Sequence, residues 1–327
     1  MGAPFTPGKI RRIQSLADDK GRFKILAVDH RDSMSMMIDP DAPAAVPAST
    51  LTDIKLSVVS GAGTMPSGVL LDPVYSAAQA IVSQALPGQV GFLCALEEQG
   101  YEGSSSARQT TLLADWSVEK AVRLGASGIK LLIFYHPDAG AATVRQDELV
   151  VAVAENCRKY DIPLFLEPLG YPLDPAIKAD SAEYARDRPR VTIETARRLG
   201  TLGPDVLKLP FPVDVRYEPS EEVWRQAAEE LAAACQTPWA LLSFGDPFDM
   251  FKAQLEVACR AGCSGFMAGR AVWREVITAA ENERAQVVEK VALPRFRALC
   301  DVAERHAKPW FADRALPSVD DTSYRSY

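Results

Sequence analysis

Residues 128–134 read Gly-Ile-Lys-Leu-Leu-Ile-Phe, an apolar run without polar alternation, and the stretch 145–160 behind it carries helical spacing. Short apolar runs of this kind, each followed by a helical stretch, are the pattern of a parallel sheet covered by helices. The same pairing recurs along the chain. FKILAVD (23–29), SGVLLD (67–72), VGFLCAL (90–96), PLFLE (163–167), DVLKL (205–209), WALLS (239–243) and SGFMA (264–268) complete a set of eight. Helical stretches fall at 51–60, 73–84, 117–124, 192–199, 220–235 and 247–261, and a last one, 271–306, is expected to bend or break near Pro294. Eight such units close naturally into a single (β/α)8 TIM barrel, an α/β fold. An open doubly wound sheet would show G-x-G-x-x-G after its first strand. The nearest match, GAGTMP at 61–66, lacks the third glycine and follows a helix. One barrel is therefore expected over 1–308, with an N-terminal extension and long C-terminal helices, followed by a Pro-, Asp- and Ser-rich tail over 309–327.

Composition narrows the function. The 327 residues are 47% hydrophobic and 24% charged, as in an ordinary globular protein. No apolar run approaches the ~20 residues that cross a bilayer, so no membrane partner is expected. The opening MGAPFTPGKIRRIQ lacks the apolar core of a secretory signal, and Gly2 with Thr6 meets only a loose myristoylation pattern. A net charge of −7 excludes a global basic field for nucleic acid. Of six cysteines only Cys259 and Cys263 lie close together, without a nearby histidine, which fits a reduced, cytoplasmic protein and not a zinc knuckle. The three histidines, 30, 136 and 306, have no i, i+4 spacing, so neither a His-rich metal set nor a cofactor is expected. A Mg²⁺ site from Asp29, Asp72, Glu97 and Glu167 stays open. Ser243 lacks the G-x-S-x-G context of an esterase.

In a barrel, chemistry belongs at the carboxyl ends of the strands, and three irregular segments at 33–49, 97–116 and 170–191 would lie over that end. The last is long enough for a lid. The strand ends carry Asp29-His30-Arg31, Asp72, Glu97-Glu98, Glu167, Ser243 and Gly269-Arg270, with Lys130 and Lys208 inside strands four and six. A buried lysine must find a partner or lose its proton, and a second cation nearby favours the free amine, a nucleophile for ketones. Lys208 is the candidate amine and Lys130 the neighbouring cation, unless either snorkels to solvent. Glu167 and Asp29 suit proton transfer or, equally, an ion pair with a lysine. Asp72, before Pro73, reads better as a helix cap. The loops Ser243-Phe244-Gly245-Asp246 and Ala268-Gly269-Arg270 suit a phosphate, held by backbone amides and a guanidinium fork; otherwise Gly269 only turns the chain and Arg270 pairs with an acid.

AVDHRDSM (27–34), LLDPVY (70–75), GIKLLIFY (128–135), PLFLEPL (163–169), DVLKLPFPVD (205–214), LLSFG (241–245) and GFMAGRAVW (265–273), in this order, resemble the class I tagatose-1,6-bisphosphate aldolase family, which includes the similar 6-deoxy-6-sulfofructose-1-phosphate aldolases. The resemblance runs from about residue 20 to 280. It implies a (β/α)8 barrel and Schiff-base cleavage of a phosphorylated ketose into dihydroxyacetone phosphate and an aldehyde, glyceraldehyde 3-phosphate or sulfolactaldehyde. Lys208 falls on the imine-forming lysine, Glu167 on the acid/base, Lys130 on the fourth-strand lysine and Asp29 on the first-strand acid. Ser243, Gly245, Gly269 and Arg270 fall on the phosphate loops, and Arg31 and Lys55 near the pocket for the far end of the sugar. Where the family reads Gln-Arg and then small residues, this chain has His30-Arg31-Asp32-Ser33; Phe244 and Asp246 also depart from it. A carboxylate at 246 would repel a phosphate unless it is paired or turned away. A homo-oligomer is the expected assembly. The rival classes are a metal-dependent lyase, which chelators would inactivate, and a non-catalytic sugar-phosphate-binding barrel.

Overall fold

The eight apolar runs pair in sequence order into a closed parallel barrel in the computed structural model, which describes residues 5–325; Gly2 lies outside them. The strands are β1 (Phe23–Ala27), β2 (Gly68–Leu71), β3 (Gly91–Ala95), β4 (Gly128–Phe134), β5 (Leu164–Leu169), β6 (Val206–Leu209), β7 (Trp239–Leu242) and β8 (Gly265–Ala268), with β8 returning to β1. The helices are α1 (Pro7–Gln14), α2 (Asp32–Ile38), α3 (Ala48–Ala62), α4 (Ala77–Val82), α5 (Val118–Leu124) and α6 (Ala141–Lys159). They continue with α7 (Ala182–Leu199), α8 (Glu221–Ala234), α9 (Phe248–Arg260), α10 (Arg270–Thr278), α11 (Arg284–Val287) and α12 (Leu293–His306).

Side chains alternate across each strand, and the alternation splits the core in two. Leu26, Val69, Cys94, Ile129, Leu166, Leu207 and Phe266 belong to the layer between barrel and helices. Ile25, Leu70, Leu93, Phe165, Val206, Ala240 and Met267 form a separate layer inside the barrel. The floor beneath it is closed by the N-terminal segment. Thr6 caps α1 by accepting from the Lys9 N–H at 3.2 Å, Ile13 and Leu16 join the inner layer, and the Lys9 ammonium donates to Asp205 at 2.8 Å. Gly91 permits this approach, since a Cβ there would stand 2.2 Å from the Ser15 carbonyl oxygen. Trp310, buried and edge-on to Phe5 at 5.5 Å, completes the floor, so the segment after residue 309 begins inside the barrel's packing. With an apolar floor and middle, the inward polar side chains of β4, β5 and β6 are left at the carboxyl mouth.

Three element boundaries differ from the sequence reading. The expected lid at 170–191 is half helix, because α7 starts at Ala182, capped by Ser181, and runs through Pro189 at the loss of one backbone hydrogen bond. Residues 73–76 form a turn, not a helix, with Asp72 accepting the N–H groups of Val74 and Tyr75 at 2.9 and 2.7 Å. The long C-terminal helix breaks after Thr278 and not at Pro294. A 3₁₀ turn, α11 and a π turn (Val288–Ala292) intervene, and Pro294 sits in the first turn of α12, where its missing N–H costs nothing. Among the described residues no helix is long and apolar enough to cross a membrane.

Candidate active site

The mouth of the barrel holds a cleft of about 230 Å³, lined by Asp29, Lys130, Glu167, Lys208, Ser243 and Arg270 among others. Two lysines and three carboxylates meet at its base. Lys130 Nζ donates to Asp29 Oδ2 at 2.8 Å and to Glu97 Oε1 at 2.6 Å, and lies 3.1 Å from Glu167 Oε2. Lys208 Nζ donates to that same Glu167 oxygen at 2.8 Å. One carboxylate oxygen thus stands between two ammonium groups. Neither lysine snorkels to solvent, since both are buried on inward-facing strand positions.

Burial disfavours the Lys130 cation, but the carboxylates of Asp29, Glu167 and Glu97 outweigh it and hold its pKa well above the usual lysine range. Burial likewise works against an ionised Asp29, and Lys130 and Lys208 overcome it, so this carboxyl is held far below the ordinary range. Near neutral pH Asp29 is an anion and Lys130 a cation. His30 behaves in the opposite way. Burial pushes its pKa down to about 3 against the pull of Asp29, with Arg270 and Lys208 adding to the effect, so its ring is neutral. Its Nδ1 is buried without a hydrogen-bond partner, 3.7 Å from Asp29 Oδ1.

A second feature sits beside the lysines. Phe244 and Gly245 both take left-handed backbone, φ +48° and +86°, turning the loop after β7 toward the start of α10. The Arg270 guanidinium packs on Gly245, where a Cβ would come within 3.1 Å of its Cζ. Arg270 has no carboxylate within ion-pair distance among the described residues, and its Nε is buried and unpartnered. Burial and the nearby Arg274 cation push it below the usual guanidinium range. The Gly269 N–H points to Ser243 Oγ at 3.5 Å, and no side chain caps α10. An unpaired cation over an uncapped helix start is a seat for an anion. Asp246 does not line the cleft, and its carboxylate is partnered, accepting from Gln254 Nε2 at 2.9 Å.

A family model described as DeoC/LacD family aldolase matches residues 23–275. The chain belongs to that family. Tagatose 1,6-diphosphate aldolase 2 of Streptococcus agalactiae is 29% identical over 94% of this chain and 98% of its own. Tagatose 1,6-diphosphate aldolase 1 of Enterococcus faecalis is 30% identical over 82% of this chain and 84% of its own. Among solved structures, a Schiff-base-forming fructose-1,6-bisphosphate aldolase shares the fold at TM-score 0.57 and 20% identity, covering 90% of this chain and 98% of its own. The fructose-bisphosphate aldolase of Plasmodium falciparum does so at TM-score 0.66 and 15% identity, covering 94% and 98%. The protein is an aldolase, a carbon–carbon lyase, and the resemblance carried by the motifs is borne out.

Two of the residues expected at the aldolase's cleft are not there. Lys55 lies on α3, fully buried behind β1 and β2, donating to Asp72 at 2.5 Å and to the Val28 carbonyl at 2.9 Å. Arg31 is buried as well, its Nη2 donating to the Glu97 carbonyl at 2.5 Å and its Nη1 3.5 Å from Glu98. Neither lines the cleft. Asp72, the remaining open carboxylate, is spent on Lys55 and its own turn. The others converge on an ammonium, and among the described residues no group of three His, Cys, Asp or Glu side chains is arranged to hold a metal ion. Glu97, expected only as a candidate Mg²⁺ ligand, serves instead as a partner of Lys130. It follows β3 at the carboxyl end, the place that signals chemistry in a barrel, and it holds Lys130 while its Oε2 accepts the Leu132 N–H at 3.0 Å. Asp32 opens α2, its N–H donating to Gln99 Oε1 at 3.2 Å.

Proposed function

We propose that this aldolase is of the Schiff-base class and cleaves a ketose 1-phosphate, tagatose 1,6-bisphosphate or a close analogue, with Lys208 as the amine. The observation that carries the reading is the Glu167 oxygen placed between Lys208 and Lys130. Glu167 is within reach to take the Lys208 proton, leaving a lone pair to attack the C2 ketone. Lys130, fixed as a cation by Asp29 and Glu97, stands 3.1 Å from the Glu167 oxygen that Lys208 also reaches and holds that carboxylate in place. The carbinolamine loses water to give an iminium, which accepts the electron pair of the C3–C4 bond as Glu167 takes the C4 hydroxyl proton. An aldehyde leaves, and the enamine on Lys208 gains a proton at C3 and is hydrolysed to dihydroxyacetone phosphate. Asp29, pinned as an anion, supports the cluster's charge while Glu167 moves the proton.

Arg270, Ser243, Gly245 and Gly269 seat the C1 phosphate so that C2 meets the amine. The tagatose 1,6-diphosphate aldolases that this chain is similar to support the substrate class. Borohydride reduction in the presence of dihydroxyacetone phosphate, followed by peptide mapping, should place a stable adduct on Lys208. Bound ligand without an adduct would favour a metal-dependent or non-catalytic barrel. Arg270→Ala should raise KM for phosphorylated ketoses about 10- to 100-fold, the loss of a charge-assisted contact. Arg270→Lys, keeping charge without the fork, should recover only part of it. An unchanged KM in Arg270→Ala would place the phosphate elsewhere.

A further inference from the structure

A ketose bisphosphate carries an anion at each end, and the cleft as described meets only one. Arg270 faces the end beside β7 and β8. The other cleft cations, Lys130 and Lys208, are engaged by carboxylates, and Arg31 and Lys55 are sequestered. The opposite wall is built by Gln99 and Gly100 from the loop after β3, by Phe134 at the end of β4 and by Leu169 at the end of β5. The loop folds back on itself through antiparallel bridges, Glu97 to Leu112 and Glu102 to Gln109, and its return limb carries Arg108 over this wall.

The guanidinium of Arg108 lies 4.7 Å from the Tyr101 ring centroid, 5.0 Å from that of Tyr171 and 5.7 Å from that of Phe134. Its Nε donates to the Ser105 carbonyl at 3.0 Å, which fixes the plane of the group. Among the described residues its two terminal nitrogens make no hydrogen bond, and no carboxylate lies within 4 Å. Beyond Arg270, the arginines nearby are matched: Arg188 by Asp214 and the Phe211 carbonyl, Arg190 by Asp187 and Asp138, Arg216 by Asp214. Arg108 does not itself line the cleft but stacks on Phe134, which does, so in a chain of net charge −7 it is a half-buried, oriented and unmatched guanidinium one side chain beyond that wall. Aromatic faces stabilise a cation without consuming its N–H donors, so the fork stays free for an oxyanion.

We infer that Arg108, held by Tyr101, Phe134 and Tyr171, is the specificity residue that binds the anionic group at the far end of the sugar, a phosphate or a sulfonate. This assignment rests on the Schiff-base reading for the placement of the near end, and it replaces Arg31 and Lys55 in that role. Both head groups present oxygens in the same tetrahedral fashion to a guanidinium fork, and the substrate series below separates them.

The test compares cleavage of a ketose 1,6-bisphosphate, a 6-deoxy-6-sulfoketose 1-phosphate and the plain ketose 1-phosphate by the wild-type protein, Arg108→Ala and Arg108→Lys. Wild type is expected to favour one far-end anion over the plain 1-phosphate in kcat/KM by about 10- to 100-fold. Arg108→Ala should remove that preference through KM while leaving the plain 1-phosphate within about twofold, and Arg108→Lys should fall between. The anion whose advantage disappears is the one the site is built for. If wild type shows no preference for a far-end anion, or if Arg108→Ala keeps the preference, the assignment is wrong. Equal loss on all three substrates would reduce Arg108 to a packing role and also overturn it. Borohydride trapping of dihydroxyacetone phosphate on Lys208 needs no far-end contact. An adduct in wild type and Arg108→Ala alike therefore keeps the lysine chemistry whatever the substrate series shows, and its absence in wild type identifies failure of the underlying reading, which removes this subsite with it.

Discussion

Lys208→Met is expected to lower kcat for ketose 1-phosphate cleavage by at least about 10⁴-fold, the scale on which covalent nucleophiles are missed. Methionine nearly matches the lysine stem in length but supplies neither an amine for C2 nor a proton for Glu167. Glu167 keeps an ion partner in this variant, because Lys130 remains 3.1 Å from the same oxygen. The stability loss should accordingly stay within about 1–2 kcal/mol, far short of unfolding a domain of this size. Thermal unfolding and circular dichroism would establish the intact fold, and steady-state cleavage the lost chemistry. Binding gives a sharper discrimination. The phosphate seat at Arg270 and Gly245 is untouched, so dihydroxyacetone phosphate should still bind Lys208→Met but yield no borohydride adduct. A variant keeping more than a tenth of wild-type turnover would sink the imine, whatever its stability. Glu167→Gln should show the complementary pattern. The imine should still form, slowly, while C3–C4 cleavage falls by about 10²- to 10⁴-fold, the usual contribution of a positioned acid/base.

Lys130 and Lys208 were legible in the sequence because their surroundings make them costly. A lysine between leucines or isoleucines in a short buried strand must have its partner inside the barrel, and the partners were the carboxylates that end neighbouring strands. The barrel itself was legible because eight apolar runs of four to seven residues alternate with helices, and the open doubly wound alternative lacked its glycine fingerprint. Lys55 shows the opposite case. Its spacing within a helical stretch says that it lies on α3, but not that α3 turns it inward onto Asp72, because the partner is 17 residues away on another element. Arg31 failed similarly, its fork being taken by a main-chain carbonyl that carries no sequence signal. Arg108 was illegible because a cation–aromatic cage assembles from three separate segments, with no periodicity to announce it. The first half of α7, expected as part of an irregular segment at 170–191, contains Pro189. The proline removes one backbone hydrogen bond, yet Tyr184 before it and Val191, Ile193 and Ala196 after it bury the helix on both sides, and packing prevails.

Lys130→Met should produce the largest stability change of any single substitution at the mouth, about 3–5 kcal/mol at neutral pH, because it strands a buried cluster of carboxylates. Its pH dependence distinguishes this cause from a simple packing defect. In the wild type the Asp29 carboxyl is held below its ordinary range, so the stability it contributes is fully present above about pH 4 and is lost as the pH falls further. Lys130 is held above its ordinary range, so its contribution is fully present below about pH 10 and disappears only as the pH rises through its elevated value. Between these limits the pair itself adds no pH dependence to stability. In the variant the dominant cation beside Asp29 is gone while the burial remains, and burial favours the protonated carboxyl. The native state then binds a proton that the unfolded chain releases above about pH 4, and stability falls as pH rises, by up to about 1.4 kcal/mol per unit for each such proton. The buried neutral His30 makes both proteins less stable at pH 5 than at pH 8, so the reading is the deficit of Lys130→Met relative to the wild type, and urea unfolding should show that deficit smaller at pH 5 than at pH 8. A variant whose deficit is equal at the two pH values has lost packing alone. That result would mean that the carboxylates around residue 130 do not depend on it for their charge, and the electrostatic frame assigned to Glu167 and Lys208 would go with it.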